Sequence, residues 1–227
     1  MTLTSQPIPG GWTERELTIR GVRFPLLLPA DPETVLLHFE EHAESKERIG
    51  ADPYWAHLWP TSLVLAEKIL ASDWSGHRSA IELGCGIGLA GLAALAAGFE
   101  VTFTDYNPRA VELALENARR CGFEKASGFV LDWRSPPAMK FDVILASDVI
   151  YDRDFHVPLM NTLEALAHER SVVWIGDGGR GATEDFLFLA LERWPVEVFD
   201  REDQPSASIH LQQYRRLVCH PQPQRAQ

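Results

Sequence analysis

The sequence predicts an α/β fold: a doubly wound, mostly parallel sheet with helices on both faces, closed by a C-terminal antiparallel hairpin. Three observations carry this. From Ser79 onward, short apolar runs alternate with helical patterns across short connections, as in βαβ units. The first run, Ala80-Ile81-Glu82-Leu83, empties into Gly84-Cys85-Gly86-Ile87-Gly88-Leu89-Ala90-Gly91, where the backbone must turn sharply and leave amides open before a helix begins. The last two runs have only the polar turn Asp200 to Ser206 between them, so they must pair antiparallel.

Taken in order, residues Glu16 to Leu28 alternate around Gly21-Val22 and predict a short hairpin. Asp31-Pro32-Glu33 opens a helix through Val35, Leu36, Leu37 and Phe39, with a cap, an early proline and an acidic first turn. A charged run, Glu40 to Arg48, precedes Ala51-Asp52-Pro53-Tyr54-Trp55-Ala56-His57-Leu58-Trp59-Pro60. The prolines keep that stretch irregular, and its aromatics are placed to wall a pocket or to cover the sheet edge. Thr61 or Ser62 is the expected cap of the next helix, which buries Leu63, Leu65, Ala66, Ile69 and Leu70. Strands follow near Ala80–Leu83, Glu100–Thr104, Ser127–Leu131, Phe141–Ala146, Val172–Ile175, Val196–Phe199 and Ile209–Leu217. Helices fall near Gly88–Ala97, Pro108–Arg120, Phe155–His168 and Ala182–Arg193. The organisation expected is an N-terminal extension over 1–52, one domain over 53–219 and an unstructured tail over 220–227.

At 227 residues the chain is large enough to bury a core, and 45% hydrophobic with 23% charged residues is ordinary for a globular protein. A formal charge of −11 disfavours a phosphate backbone as partner and suits a basic one, although solubility alone also accounts for it. No apolar stretch is long enough to span a bilayer, and the first residues carry no export pattern. Cys85, Cys121 and Cys219 have no metal-ligand spacing and read as reduced thiols of a cytoplasmic protein, so no metal is expected.

In such a sheet, ligands bind beyond the carboxyl ends of the strands, so the chemistry is sought there. Gly86 to Gly91 satisfies the dinucleotide pattern G-x-G-x-x-G, with Asp105 at the end of the next strand. Glu82 argues otherwise: a carboxylate there repels a pyrophosphate and suits the ammonium of an amino-acid-bearing cofactor such as S-adenosylmethionine. Its plainer alternative is a strand-end carboxylate. Asp105 is placed to accept hydrogen bonds from both ribose hydroxyls, since Asn107 ahead of Pro108 is the better helix cap. Asp132 is placed to accept from an adenine amino group and Trp133 to cover the base, unless they are a turn residue and a core residue. The fourth strand runs into Ser147-Asp148-Val149-Ile150-Tyr151, where Asp148 and Tyr151 lie beside the transferable methyl. A buried carboxylate is costly without a partner, so Asp148 is expected to meet one that arrives with the substrate. In Gly176-Asp177-Gly178-Gly179-Arg180-Gly181, Asp177 and Arg180 are weaker candidates for substrate contact, because these residues are also plain turn formers. His57 reads as structural.

With these residues assembled, the chain resembles the class I, seven-β-strand methyltransferases, and within them the family-16 protein-lysine methyltransferases. The resemblance rests on Leu58-Trp59-Pro60 before a helix, Glu82-x-Gly84-x-Gly86-x-Gly88, Asp105, Leu131-Asp132-Trp133 and the D-x-x-Y element Asp148 to Tyr151, spanning roughly residues 53 to 155. It implies a Rossmann-like seven-stranded sheet, S-adenosylmethionine in the crevice, Trp59, Asp132, Trp133 and Ser147 near the cofactor, and Asp148 and Tyr151 bordering a target amine on a protein. Pro53-Tyr54-Trp55-Ala56 is similar to the branch acting on electron-transfer flavoprotein or ribosomal proteins. The rival expectations are a small-molecule or histidine N-methyltransferase, an NAD-dependent oxidoreductase, and a binding module that keeps the pocket without turnover.

Overall fold

The protein is described by a computed structural model over residues 7–42, 53–206 and 213–221. Strands β1 (Trp12–Ile19) and β2 (Val22–Pro29) form the expected hairpin, longer at both ends than the alternation indicated. Helix α1 (Pro32–His42) follows, with the Asp31 carboxylate accepting from the Thr34 amide. The run to Arg48 and the tail beyond Pro221 lie largely outside the described residues. A 3-10 turn over Pro53–Ala56 leads to α2 (Pro60–Ala71). Pro60 takes the first helical position and Trp59 precedes it, so neither Thr61 nor Ser62 is the cap. Ser62 Oγ instead donates to the Trp59 carbonyl at 2.7 Å, and the Thr61 hydroxyl is released for another partner.

The main sheet comprises β3 (Ser79–Leu83), β4 (Glu100–Asp105), β5 (Ala126–Val130), β6 (Phe141–Ser147), β7 (Ala167–Asp177), β8 (Val196–Phe199) and β9 (Arg215–Cys219). Its order is β5-β4-β3-β6-β7-β9-β8, with β5 through β7 parallel and β9 antiparallel to both its neighbours. The hairpin of the last two strands is present, and β9 is the one wedged inward. The expected strand Ile209–Leu217 lies partly outside the described residues, and pairing runs past Leu217 to Cys219. The intervening helices are α3 (Leu89–Ala96), α4 (Pro108–Arg120), α5 (His156–Leu166) and α6 (Gly181–Leu191). Helix α5 stops short of His168 because the backbone becomes extended at Ala167 and β7 begins there. The polar start of β7, His168-Glu169-Arg170, carries no strand signal; Ala167 pairs with Phe141, and the polar run falls in the register shift before Val172 meets Val143. Among the described residues no helix is long and apolar enough to cross a membrane.

Strand parity distributes the core. On β3 and β6, Ala80, Val143 and Leu145 face one layer with Leu65, Ile69, Leu92 and Leu113, whereas Ile81, Leu83, Ile144 and Ala146 face the other with Leu159, Leu163 and Phe186. Glu82 shares the parity of Ala80, so its carboxyl points toward α3. The β1–β2 hairpin joins the first layer through Phe24, Leu26 and Leu27. Asn117 of α4 fastens it there: Oδ1 accepts from the Leu27 amide at 2.7 Å, and Nδ2 donates to the Leu27 and Ile87 carbonyls at 3.2 and 3.1 Å. Asn117 is fully buried, so Asn117→Ala strands a buried N–H and two carbonyls. It is expected to lower stability by about 2–4 kcal/mol, measured by chemical denaturation.

Candidate active site

Beyond the carboxyl ends of β3, β4 and β6 opens a cleft of about 1090 Å³, mouth included. Eleven of the residues picked out by the sequence line it, Trp59, Glu82, Gly84, Gly86, Gly88, Asp105, Asp132, Trp133, Ser147, Asp148 and Tyr151, whereas the weaker candidates Asp177 and Arg180 do not.

The floor is the loop after β3. Gly84 sits at φ +62 with Val149 Cγ1 2.8 Å from where a Cβ would stand, and a Cβ on Gly91 would press on Phe103 and come 2.7 Å from the Glu82 carboxyl. Both positions therefore demand glycine. Because Gly91 leaves that space, Glu82 Oε2 accepts from its amide at 2.9 Å and the carboxyl tucks under the start of α3. Glu82 is 2% exposed, and burial, with Asp105 nearby, pushes its pKa up to about 8 against the hydrogen bonds from Gly91 and Ala90. Among the described residues no cation pairs with it. Asp105 accepts from the Gly86 amide at 3.0 Å and the Asn107 amide at 2.9 Å, and burial raises it to about 6. Asn107 is the cap of α4, its Oδ1 accepting from the Arg109 amide at 3.0 Å, which leaves Asp105 to the cleft. Two acids that lack a cation and face a glycine-lined cleft fit a ligand bearing a positive amino-acid tail and hydroxyls better than one bearing a diphosphate.

Further along, Asp132 is paired with Arg134 at 2.6 Å, and this hydrogen bond holds its pKa below the usual carboxylate range. Trp133 stacks edge-on to Phe155 at 6.1 Å, and its carbonyl accepts from Thr162 Oγ1 at 2.9 Å, so the indole wall is fixed. Leu131, Tyr106 and Phe155 complete that apolar end. The sequence did not single out Tyr106 and Phe155; each lies just outside a motif.

The opposite end is built on Asp148. Its backbone is left-handed, φ +56, at a cost of roughly 1–2 kcal/mol for a residue with a Cβ, and its amide donates to the Gly176 carbonyl at 2.8 Å. That bend turns the carboxylate into the cleft at 6% exposure. The expectation that Asp148 waits for a partner brought by substrate is corrected here, because the protein supplies partners itself. Arg180 Nη1 donates to Oδ1 at 2.6 Å, and the Thr61 hydroxyl donates to Oδ2 while lying 3.1 Å from Ser147 Oγ. Asp177 is fully buried behind the loop, accepting from Gly179 N at 2.7 Å and Thr183 Oγ1 at 2.5 Å, and shapes the turn without lining the cleft. Around Asp148 stand Tyr54, Trp59 and Tyr151, with Tyr54 edge-on to Trp59 at 6.1 Å and to Tyr151 at 5.8 Å. Trp59 Nε1 donates to the Tyr54 carbonyl at 3.0 Å. The proline-bracketed aromatics thus wall the pocket. His57, read from sequence as structural, also lines it, 5.2 Å from the Trp59 ring.

With that geometry in hand, comparison with known proteins places it among relatives. A family model described as lysine methyltransferase matches residues 40–194. The chain is 30% identical over 207 residues to protein-lysine methyltransferase METTL21E of Bos taurus, covering 82% of this chain and 69% of that protein. It is 30% identical over 137 residues to the electron transfer flavoprotein beta subunit lysine methyltransferase of Danio rerio, covering 59% of this chain and 53%, about half, of that one. Among solved structures, the 16S rRNA methyltransferase RsmC of T. thermophilus, in complex with AdoMet and guanosine, superposes with a TM-score of 0.65 at 16% identity, over 96% of this chain and 52% of that one. At that identity the likeness shows the Rossmann-like fold.

Proposed function

Because the chain belongs to the lysine methyltransferase family, which uses S-adenosylmethionine, we propose that it transfers a methyl group from that cofactor to the side-chain amine of a lysine in a protein. The observation that carries this is one cleft with two chemistries: uncompensated acids over a glycine loop at one end, and a carboxylate inside an aromatic rim at the other.

When bound, the cofactor supplies an electrophilic methyl on a cationic sulfur. The residues that would hold it are Glu82 at its amino-acid end, Asp105 at the ribose hydroxyls, and Asp132 and Trp133 at the adenine, with Gly84, Gly86 and Gly88 permitting close approach of the backbone. Asp148 accepts a hydrogen bond from the target amine and so aims its lone pair. Tyr54, Trp59 and Tyr151 sheathe the alkyl chain and exclude water. A free lysine has a pKa of about 10.4, so presenting it neutral at pH 7 costs on the order of 4–5 kcal/mol. A bare carboxylate makes this worse by favouring the ammonium form. Alignment of two bound reactants offsets the cost, being worth roughly 7–11 kcal/mol at best. Proton loss goes to water or through Tyr151.

In this proposal the methyltransferase unit spans 53–219, with 1–52 as an extension carrying the docked hairpin. The three cysteines are free thiols, which supports a cytoplasmic setting. The test is incubation of the protein and methyl-labelled cofactor with an extract of its own host lacking the gene, followed by peptide mass spectrometry. Methyl-lysine in protein is expected. Label confined to small molecules, or to histidine, overturns the proposal.

A further inference from the structure

Arg180 bears on the one difficulty the mechanism leaves, which is how a pocket built on a carboxylate takes up a neutral amine. Its guanidinium is held on three sides: Nη1 is 2.6 Å from Asp148 Oδ1, and the carbon at its centre lies 5.5 Å from the Trp59 ring centroid and 6.0 Å from that of Tyr151. The turn that presents it is pinned by Asp177, which also accepts from the Arg180 amide at 3.4 Å. Arg180 reaches Asp148 from the rim and does not itself line the cleft, whereas Asp148 does. An amine entering from the cleft therefore finds Asp148 with lone pairs left on both oxygens and Arg180 still in place.

We propose that Arg180 is a positioning residue that cancels the charge of Asp148 and so makes the acceptor pocket select the neutral amine over the ammonium. This rests on the acceptor being an amine, as proposed above. An isolated carboxylate in an aromatic rim is a cation trap: it would hold lysine in its protonated, unreactive form. A carboxylate already paired with guanidinium keeps its hydrogen-bond acceptors and loses that preference. The other groups facing this pair do not reverse the balance. From β7, Asp177 turns Oδ2, which has no hydrogen-bond partner, to within 3.9 Å of Arg180 Nη1 while Oδ1 accepts from backbone amides and Thr183; burial pushes its pKa up, toward the uncharged acid, which lessens its competition for the guanidinium. From α2 comes the neutral Thr61 hydroxyl, and from the stretch before β9 the buried phenol of Tyr214, whose pKa is also raised. Tyr151 stands on the loop after β6.

The experiment uses n-butylamine as a minimal lysine side chain, titrated by calorimetry into protein saturated with S-adenosylhomocysteine, which lacks the sulfonium charge and isolates the contribution of Arg180. For the wild type, affinity in total amine is expected to rise about tenfold per pH unit from 7 to 10, because only the neutral form binds. For Arg180→Gln, affinity at pH 7 is expected to be at least tenfold tighter and flat with pH up to 9, because the ammonium now binds. Arg180→Lys restores the wild-type slope. S-adenosylhomocysteine affinity, unchanged in both variants, reports that they are folded. Equal slopes in wild type and Arg180→Gln overturn the inference, as does a wild type that binds no butylamine at pH 10. Absence of methyl-lysine in the extract with these slopes intact would remove the proposed activity and leave the role of Arg180 standing.

Discussion

Asp148→Ala is expected to stop methyl transfer while the cofactor still binds, with turnover lowered at least about 100-fold, the usual scale for losing one preorganised polar group at the reacting atom. S-adenosylmethionine affinity, read by calorimetry, should stay within about threefold, because the cofactor-side acids Glu82 and Asp105 hang on β3 and β4 and Asp148 on the far side of the cleft, past β6. The fold has little reason to fail: Arg180 is 41% exposed and can be hydrated once released. The left-handed backbone at Asp148 offers a control. Asp148→Gly relieves that strain and is expected to melt above Asp148→Ala while being equally inactive, which separates chemistry from stability. Full activity in either variant would remove Asp148 from the acceptor site.

How far the sequence could be read follows from the range of each interaction. The glycine loop, Asp105, the Asn107 cap and the D-x-x-Y element were legible because each is decided within a few residues of chain. The parity that sends Glu82 toward α3 follows from a strand alternating strictly by two. What sequence could not show was pairing across distance. That the Asp148 carboxylate needed a partner was plain from its cost; that the partner is Arg180, from the loop after β7, was not, since a cation arriving with substrate satisfies the same requirement. Thr61 is the parallel case. Beside a proline its hydroxyl looked like a helix cap, yet Pro60 at the first helical position displaces it inward, to Asp148. The polar start of β7 was missed because it lies in the register shift between the Phe141–Ala167 and Val143–Val172 pairs, where no apolar alternation is required.

Glu82→Gln should weaken S-adenosylmethionine binding about 100-fold at neutral pH, as expected for removing one member of a buried charge pair, and should at the same time stabilise the ligand-free protein. Both follow from a carboxyl whose pKa is about 8 when nothing cationic faces it. In the unfolded chain it ionises near 4.5, so between 4.5 and 8 the folded state holds a proton that the unfolded state has shed. The contribution of Glu82 to stability is thus full below 4.5 and declines with rising pH until about 8. Glutamine, which still accepts from the Gly91 amide, removes that decline, so the melting temperature of Glu82→Gln should exceed that of the wild type by more at pH 8 than at pH 6. Asp105, raised to about 6, adds its own decline to both proteins and cancels from the difference. Binding reverses the sign. A cationic amino-acid tail requires ionised Glu82, so the wild type must release a proton on taking up cofactor. Between pH 6 and 7, where the cofactor amine (pKa about 7.7–8.0) stays protonated, affinity should climb with pH. Calorimetry in buffers of different ionisation enthalpy reads that proton directly. At pH 7, where Asp105 is already mostly ionised, its persistence in Glu82→Gln would mean that the amino-acid tail is held elsewhere and that the glycine loop serves a different ligand.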